Sequence, residues 1–221
     1  MLESALVPLA LTLKVAGVAT LLAFAAGVAI AHVLARRRFP GRDALDALCT
    51  LPMVLPPTVL GYYLIVVLGR RGVLGEWLYD RLGISLMFTW QGAAIASAIV
   101  GFPLVVKGAR AAFEGVDRQL EAAARTLGIS ELGVFARVSL PLAWRGVLAG
   151  TLLAFARAMG EFGATLMIAG NIPGRTQTMS LAVYDAVQSA QDGLALFLAA
   201  VTSLVCVTVL IAAGRLLEPR S

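Results

Sequence analysis

With 221 residues, 59% of them hydrophobic and 14% charged, the chain is too apolar for an ordinary soluble domain, in which about a quarter of the residues are charged. Its apolar residues gather into runs of about twenty, long enough for helices that cross a bilayer core of about 30 Å, and no series of short alternating strands suggests a barrel. The formal charge of +5 requires no nucleic-acid partner, because membrane topology and anionic lipid account for it.

An all-α polytopic bundle is therefore expected, as a single domain over residues 1–221 with five spans at about 6–35, 45–68, 87–106, 146–169 and 193–213. The start, Met1 to Ser4, has no basic segment and no cleavage site, so the first span reads as retained. Lys14 lies about two turns into that span and is expected to snorkel to the surface. In the second span Pro52, Pro56 and Pro57 each remove a backbone donor. Such a break is tolerated at membrane depth only where protein or a water-filled cavity covers it. Two readings stand: a kinked helix lining a pathway, or a bend that packs around its neighbours.

Residues 72–84, with Trp77 and Tyr79, and 178–191, with Leu181, Tyr184, Val187 and Gln188 at helical spacing, read as interfacial segments, either surface helices anchored in lipid or a platform for an external protein. Basic residues set the orientation. Arg36, Arg37, Arg38, Arg42, Lys107, Arg110, Arg118, Arg125, Arg137, Arg145, Arg215 and Arg220 fall on one side, against Arg70, Arg71, Arg81 and Arg175 on the other. The richer side is expected to be cytoplasmic, with the N-terminus outside and the C-terminus inside.

No glycine-rich phosphate loop and no convincing Ser/His/Asp set is present, so no catalytic residue is assigned. His32 has no ligand cluster, and Cys49 and Cys206 read as small apolar side chains; no metal site is expected. Within the membrane, Arg157 and Glu161 stand four residues apart on one helical face. A charge there costs about 2.5–3.5 kcal/mol even on a lenient scale, so both should face protein or water. A structural ion pair and a gate or pathway contact are both open. Thr58, Ser97 and Thr165 are candidate neutral pore contacts, beside Pro56, Pro57 and Gly163.

The loop at about 107–145 is the most polar part of the chain. Asp117 is a good N-cap and Gly128 a good helix stop. Val116, Leu120, Ala123, Ala124 and Leu127 are predicted to form one face, with Arg118, Gln119, Glu121 and Arg125 largely elsewhere. Ser130 can begin a second short helix ending near Phe135, and Pro141 marks the return to the membrane. Alanine gives strong helix propensity with little bulk, so a partner can approach the backbone closely. Docking of a partner and a plain amphipathic connector are both compatible with this pattern.

Glu121-Ala122-Ala123 with Gly128, Phe135 and Leu140-Pro141 resembles the EAA loop of ABC importer permeases. Five further segments resemble the molybdate importer permeases. They are Leu51-Pro52-Met53-Val54-Leu55-Pro56-Pro57, Gly69-Arg70-Arg71-Gly72, Ala154-Phe155-Ala156-Arg157, Gly160-Glu161-Phe162-Gly163-Ala164-Thr165 and Asn171-Ile172-Pro173-Gly174. The likeness covers nearly the whole chain, whereas sulfate and thiosulfate permeases of the same class usually carry an extra first span.

The resemblance implies a type I importer with a homodimer of this chain, two cytoplasmic ATPase subunits and an extracytoplasmic molybdate-binding protein, in a bacterial inner membrane. ATP and Mg would be bound by the ATPase and no cofactor by this chain. It also implies that Leu120, Glu121, Ala122, Ala123, Arg125, Gly128, Phe135, Leu140 and Pro141 couple the chain to that ATPase. Tungstate or sulfate import is the nearest alternative. A secondary transporter or channel would leave residues 121–141 unexplained.

Overall fold

The structure, a computed structural model, describes residues 2–217; Arg220, counted above with the richer basic side, lies outside them. The described residues fold into α1 (Leu2–Arg36), α2 (Arg42–Val54), α3 (Pro57–Leu68), α4 (Val73–Leu82), α5 (Trp90–Glu114) and α6 (Arg118–Thr126). Beyond these come α7 (Glu131–Val134), a π-helical turn (Phe135–Ser139), α8 (Leu140–Met159), α9 (Gly163–Ala169), α10 (Met179–Gln188) and α11 (Asp192–Leu217). No strand occurs among the described residues.

α5 is the central post, in contact with α1, α2, α3, α8 and α9. Apolar side chains gain little by leaving lipid for each other, so membrane helices associate through close packing of small residues. α5 and α8 follow this rule. A Cβ at Gly108 would sit 2.8 Å from the Gly150 Cα, one at Gly146 would sit 2.5 Å from the Ala112 Cβ, and Gly101 faces Ala154. The two helices are therefore antiparallel, with their backbones in near contact.

The ends of α5 identify the two faces of the bundle. Lys14 of α1 lies 3.8 Å from the centroid of the Trp90 ring, and His32 packs edge-on against Phe113, so α1 and α5 run parallel. On α2, Asp46 pairs with Lys107 and Arg110 near the far end of α5. On α3, Leu64 and Leu68 pack with Ala93 and Ala94 near its start. The α2–α3 pair thus returns the chain across the membrane as one span, although its halves meet at 114°. This is a sharper break than the predicted kink. Pro52, Pro56 and Pro57 cluster at or next to the junction and deprive it of donors.

The predicted fourth span, 146–169, is corrected. The helical run begins at Glu131 and stops at Met159, where Ala158 and Met159 meet Ala98 of α5. A short break follows, and α9 finishes the crossing, its Ile168 carbonyl accepting the Phe88 N–H at 3.0 Å. The break lies where Gly160 and Gly163 flank a charged residue, Glu161, whose carboxylate caps the new helix by accepting the Ala164 N–H.

α11 starts beside Ala5 of α1 and ends beyond Val205 and Val209, which lie against the cluster of Ala16 and Ala19. Two of the five crossings are interrupted, and the described ends lie on opposite faces. α10 differs from the surface helix predicted for 178–191. It is wedged between α1 and α11, with Met179 and Leu181 buried and the Met179 N–H donated to Thr12 Oγ1 at 2.8 Å. Of its predicted stripe, Leu181 is buried and Tyr184, Val187 and Gln188 remain exposed.

Candidate functional site

On the Arg36 face of the bundle, α6 forms the first candidate region. Its N-cap is Asp117, whose side chain accepts the Gln119 N–H. At its other end Gly128 takes φ +79, with Gly128 N–H on the Arg125 carbonyl and Ile129 N–H on the Ala124 carbonyl. This pair of bonds is a Schellman stop, and the left-handed residue within it favours glycine.

Glu121, which the resemblance puts among the coupling residues, turns inward. It is 2% exposed. Its carboxylate pairs with the Arg36 guanidinium at 2.8 Å and accepts the Ser139 hydroxyl at 2.6 Å, while Arg36 also donates to the Val116 carbonyl. One buried knot therefore fastens α6 to the end of α1 and to the π turn that opens α8. Pro141 cannot supply an N–H within the first turn of α8, and the wider turn before it, with the Leu140 N–H on the Phe135 carbonyl, leaves Ser139 facing inward.

The predicted apolar stripe divides: Val116 and Ala124 are buried, whereas Leu120, Ala123 and Leu127 are exposed. Ala122, Arg125, Gly128 and Pro141 are exposed as well. Phe135 and Leu140 turn inward, Phe135 packing 4.7 Å from the His32 ring. Leu127 at 80% and Leu132 at 81% exposure leave this tip with more bare apolar surface than a solvated connector needs. Arg36 and Ser139 are the residues that sequence reasoning missed. In the sequence Arg36 reads only as a topological charge.

The second region lies at the middle of α5, where both interrupted spans break. A Cβ on Gly163 would meet the Pro57 Cβ at 2.9 Å, and one on Gly61 would meet Met167, so α9 and α3 abut through glycines. Beside them Pro52, Met53, Leu55, Pro57, Val100, Leu104 and Arg157 line a cavity of about 250 Å³. Arg157 makes a 2.8 Å ion contact with Glu161, and the two side chains are 38% and 1% exposed. Of the predicted pathway residues, Pro57 and Arg157 line this cavity and Glu161 and Gly163 support it. Ser97 and Thr165 are instead buried, their hydroxyls without hydrogen-bond partners, and Thr58 and Pro56 are exposed. No cluster of three or more metal-ligating side chains occurs among the described residues.

Residues 21–221 match the family model described as "Binding-protein-dependent transport system inner membrane component". The chain belongs to this family. This permease chain is 50% identical over 179 residues to the molybdenum transport system permease protein ModB of Escherichia coli K12, covering 81% of this chain and 78% of that one. It is 46% identical to the Haemophilus influenzae ModB over the same shares. The sulfate transport system permease protein CysT of Escherichia coli K12 is 40% identical over 78% of this chain and 62% of its own length. Among solved structures, the inward-facing MetNI methionine ABC transporter aligns over 98% of this chain and 96% of its own with a TM-score of 0.73 at 15% identity. A bacterial alginate ABC importer aligns over 97% and 79% with a TM-score of 0.70 at 16% identity. These structural likenesses concern the fold alone, a helical one that resembles ABC importer permeases.

Proposed function

We propose that this permease carries molybdate into the cytoplasm as a homodimer, driven by two cytoplasmic ATPase subunits and supplied by an extracytoplasmic molybdate-binding protein. Molybdenum permeases match at higher identity and over more of their length than the sulfate permease does, which supports molybdate over sulfate. The basic α6 face is then cytoplasmic, as the charge rule requires. ATP and Mg belong to the ATPase.

The observation that carries the mechanism is the buried Arg36–Glu121–Ser139 knot beneath a bare outer face. An ATPase pressing on Leu120, Ala123 and Leu127 moves a helix that cannot slide without taking α1 and the start of α8 with it. α8 leads directly to the break at Gly160 and the cavity at Arg157. Closing and opening of the ATPase pair thereby becomes rigid-body switching of access. One α6 per chain and two ATPases call for two copies of this chain.

Reconstitution in liposomes with the ATPase and the binding protein tests the reading: ATP-dependent molybdate uptake is expected, with sulfate and tungstate as competitors. Gly128→Val, a β-branched residue forced into left-handed backbone, should leave membrane insertion intact and separate ATP hydrolysis from uptake. Normal uptake by that variant, or uptake without ATPase, would count against the coupling role.

A further inference from the structure

Among the described residues that line the cavity at the middle of α5, Arg157 is the one charged side chain and the other side chains are apolar. We propose that Arg157 is a transient contact for the translocated oxyanion, and that Glu161 weakens this contact so that the anion passes instead of staying. The inference rests on the proposed function and names the residue in this chain that its substrate meets.

Three observations support it. First, Arg157 lies on the wall of the cavity and remains 38% exposed although it stands at membrane depth. The Glu161 contact engages only one edge of a guanidinium that carries five N–H donors, and no other acceptor holds Arg157 among the described residues. A wholly structural pair would bury both partners, yet here only the carboxylate is buried, at 1%.

Second, the helix that starts at this cavity is electropositive there. α3 begins at Pro57, a wall residue, and has no side-chain cap. Its first turn brings the positive end of a helix dipole to the same space, partly offset by the carboxyl end of α2 at Pro52, Met53 and Leu55. The Val59 and Leu60 N–H groups are already on the Pro56 carbonyl. The neighbouring start of α9 is different, because Glu161 Oε1 already accepts the Ala164 N–H at 2.9 Å. The sole carboxylate at the site is thus held on the α9 side, where it lowers the field without occupying the cavity.

Third, the size fits a small hydrated anion. A volume of about 250 Å³ corresponds to roughly eight waters at about 30 Å³ each. A tetrahedral oxyanion with part of its hydration shell fits this space. The side chains of the wall other than Arg157 are apolar, and no carboxylate is among them.

The test uses the full complex of permease, ATPase and binding protein in liposomes, with radiolabelled molybdate. Arg157→Gln should lower maximal uptake by about tenfold or more at unchanged KM for loaded binding protein. Arg157→Lys, which keeps the charge, should recover most of that loss. Glu161→Gln keeps an acceptor for Ala164 and frees the Arg157 charge. It should slow uptake while raising equilibrium molybdate retention by the detergent-solubilised complex. The proposal is overturned if Arg157→Gln transports at the normal rate, if Arg157→Lys is as impaired as Arg157→Gln, or if Glu161→Gln retains no more molybdate. It is also overturned if Arg157→Gln and Glu161→Gln both fail to assemble, since the pair is then structural. Failure of the unaltered complex to take up molybdate would instead reject the proposed function.

Discussion

Glu121 shows how a motif residue can be in the right place for a reason its sequence hides. The pair it forms with Arg36 is almost wholly buried, and removing one partner of such a pair costs about 3–5 kcal/mol because the other charge is left stranded. Arg36→Ala should therefore unseat α6, seen as faster maleimide labelling of a cysteine placed at Leu120 and earlier proteolysis between α6 and α7. Replacing both charges by apolar residues of similar size, Arg36→Met with Glu121→Leu, should recover much of the seating, because no buried charge is then unpaired. Equal labelling of Arg36→Ala and the parent chain would sink this account. The helix itself was legible from local signals, Asp117 at one end and Gly128 at the other, since caps act within a turn. The direction of Glu121 was not, because its partner lies 85 positions earlier and helical periodicity groups residues without saying which face is covered.

At the scale of elements, composition located the spans and small residues joined them. The α5–α8 contact depends on Gly108 and Gly150, where added Cβ atoms would lie 2.8 Å from backbone in each direction. Gly150→Leu should force the helices apart and lower the yield of folded, monodisperse permease in mild detergent. Gly193→Leu, at a position open to space, should be tolerated. Equal yields would mean that this crossing is held elsewhere. The break in the second span was legible because three prolines announce it. The break at Gly160 was not: Gly160-Glu161-Phe162-Gly163 contains no proline, and its charge at i+4 from Arg157 reads as continuous helix. The stop there is tertiary, set by Glu161 capping α9 and by Gly163 meeting Pro57.

For the whole molecule, the direction of every later crossing depends on whether the α2–α3 pair spans or turns back. Two helices meeting at 114° could form a re-entrant hairpin, and α4 would then share a face with α6. The contacts argue otherwise. α2 is anchored by Asp46 to Lys107 and Arg110, whereas α3 ends against Ala93, and a helix of 25 residues separates these levels by most of its length of about 37 Å. α4 must therefore lie on the face of α10, with Arg175 and away from Leu127. With Cys49 and Cys206 replaced by alanine, single cysteines at Asp80 and Gly174 should react with a membrane-impermeant maleimide added to intact cells. Cysteines at Arg38 and Leu127 should react only after permeabilisation. Labelling of Asp80 together with Leu127, and separately from Gly174, would make the α2–α3 pair a re-entrant hairpin. It would also remove the shared depth at which the two interrupted spans meet Arg157.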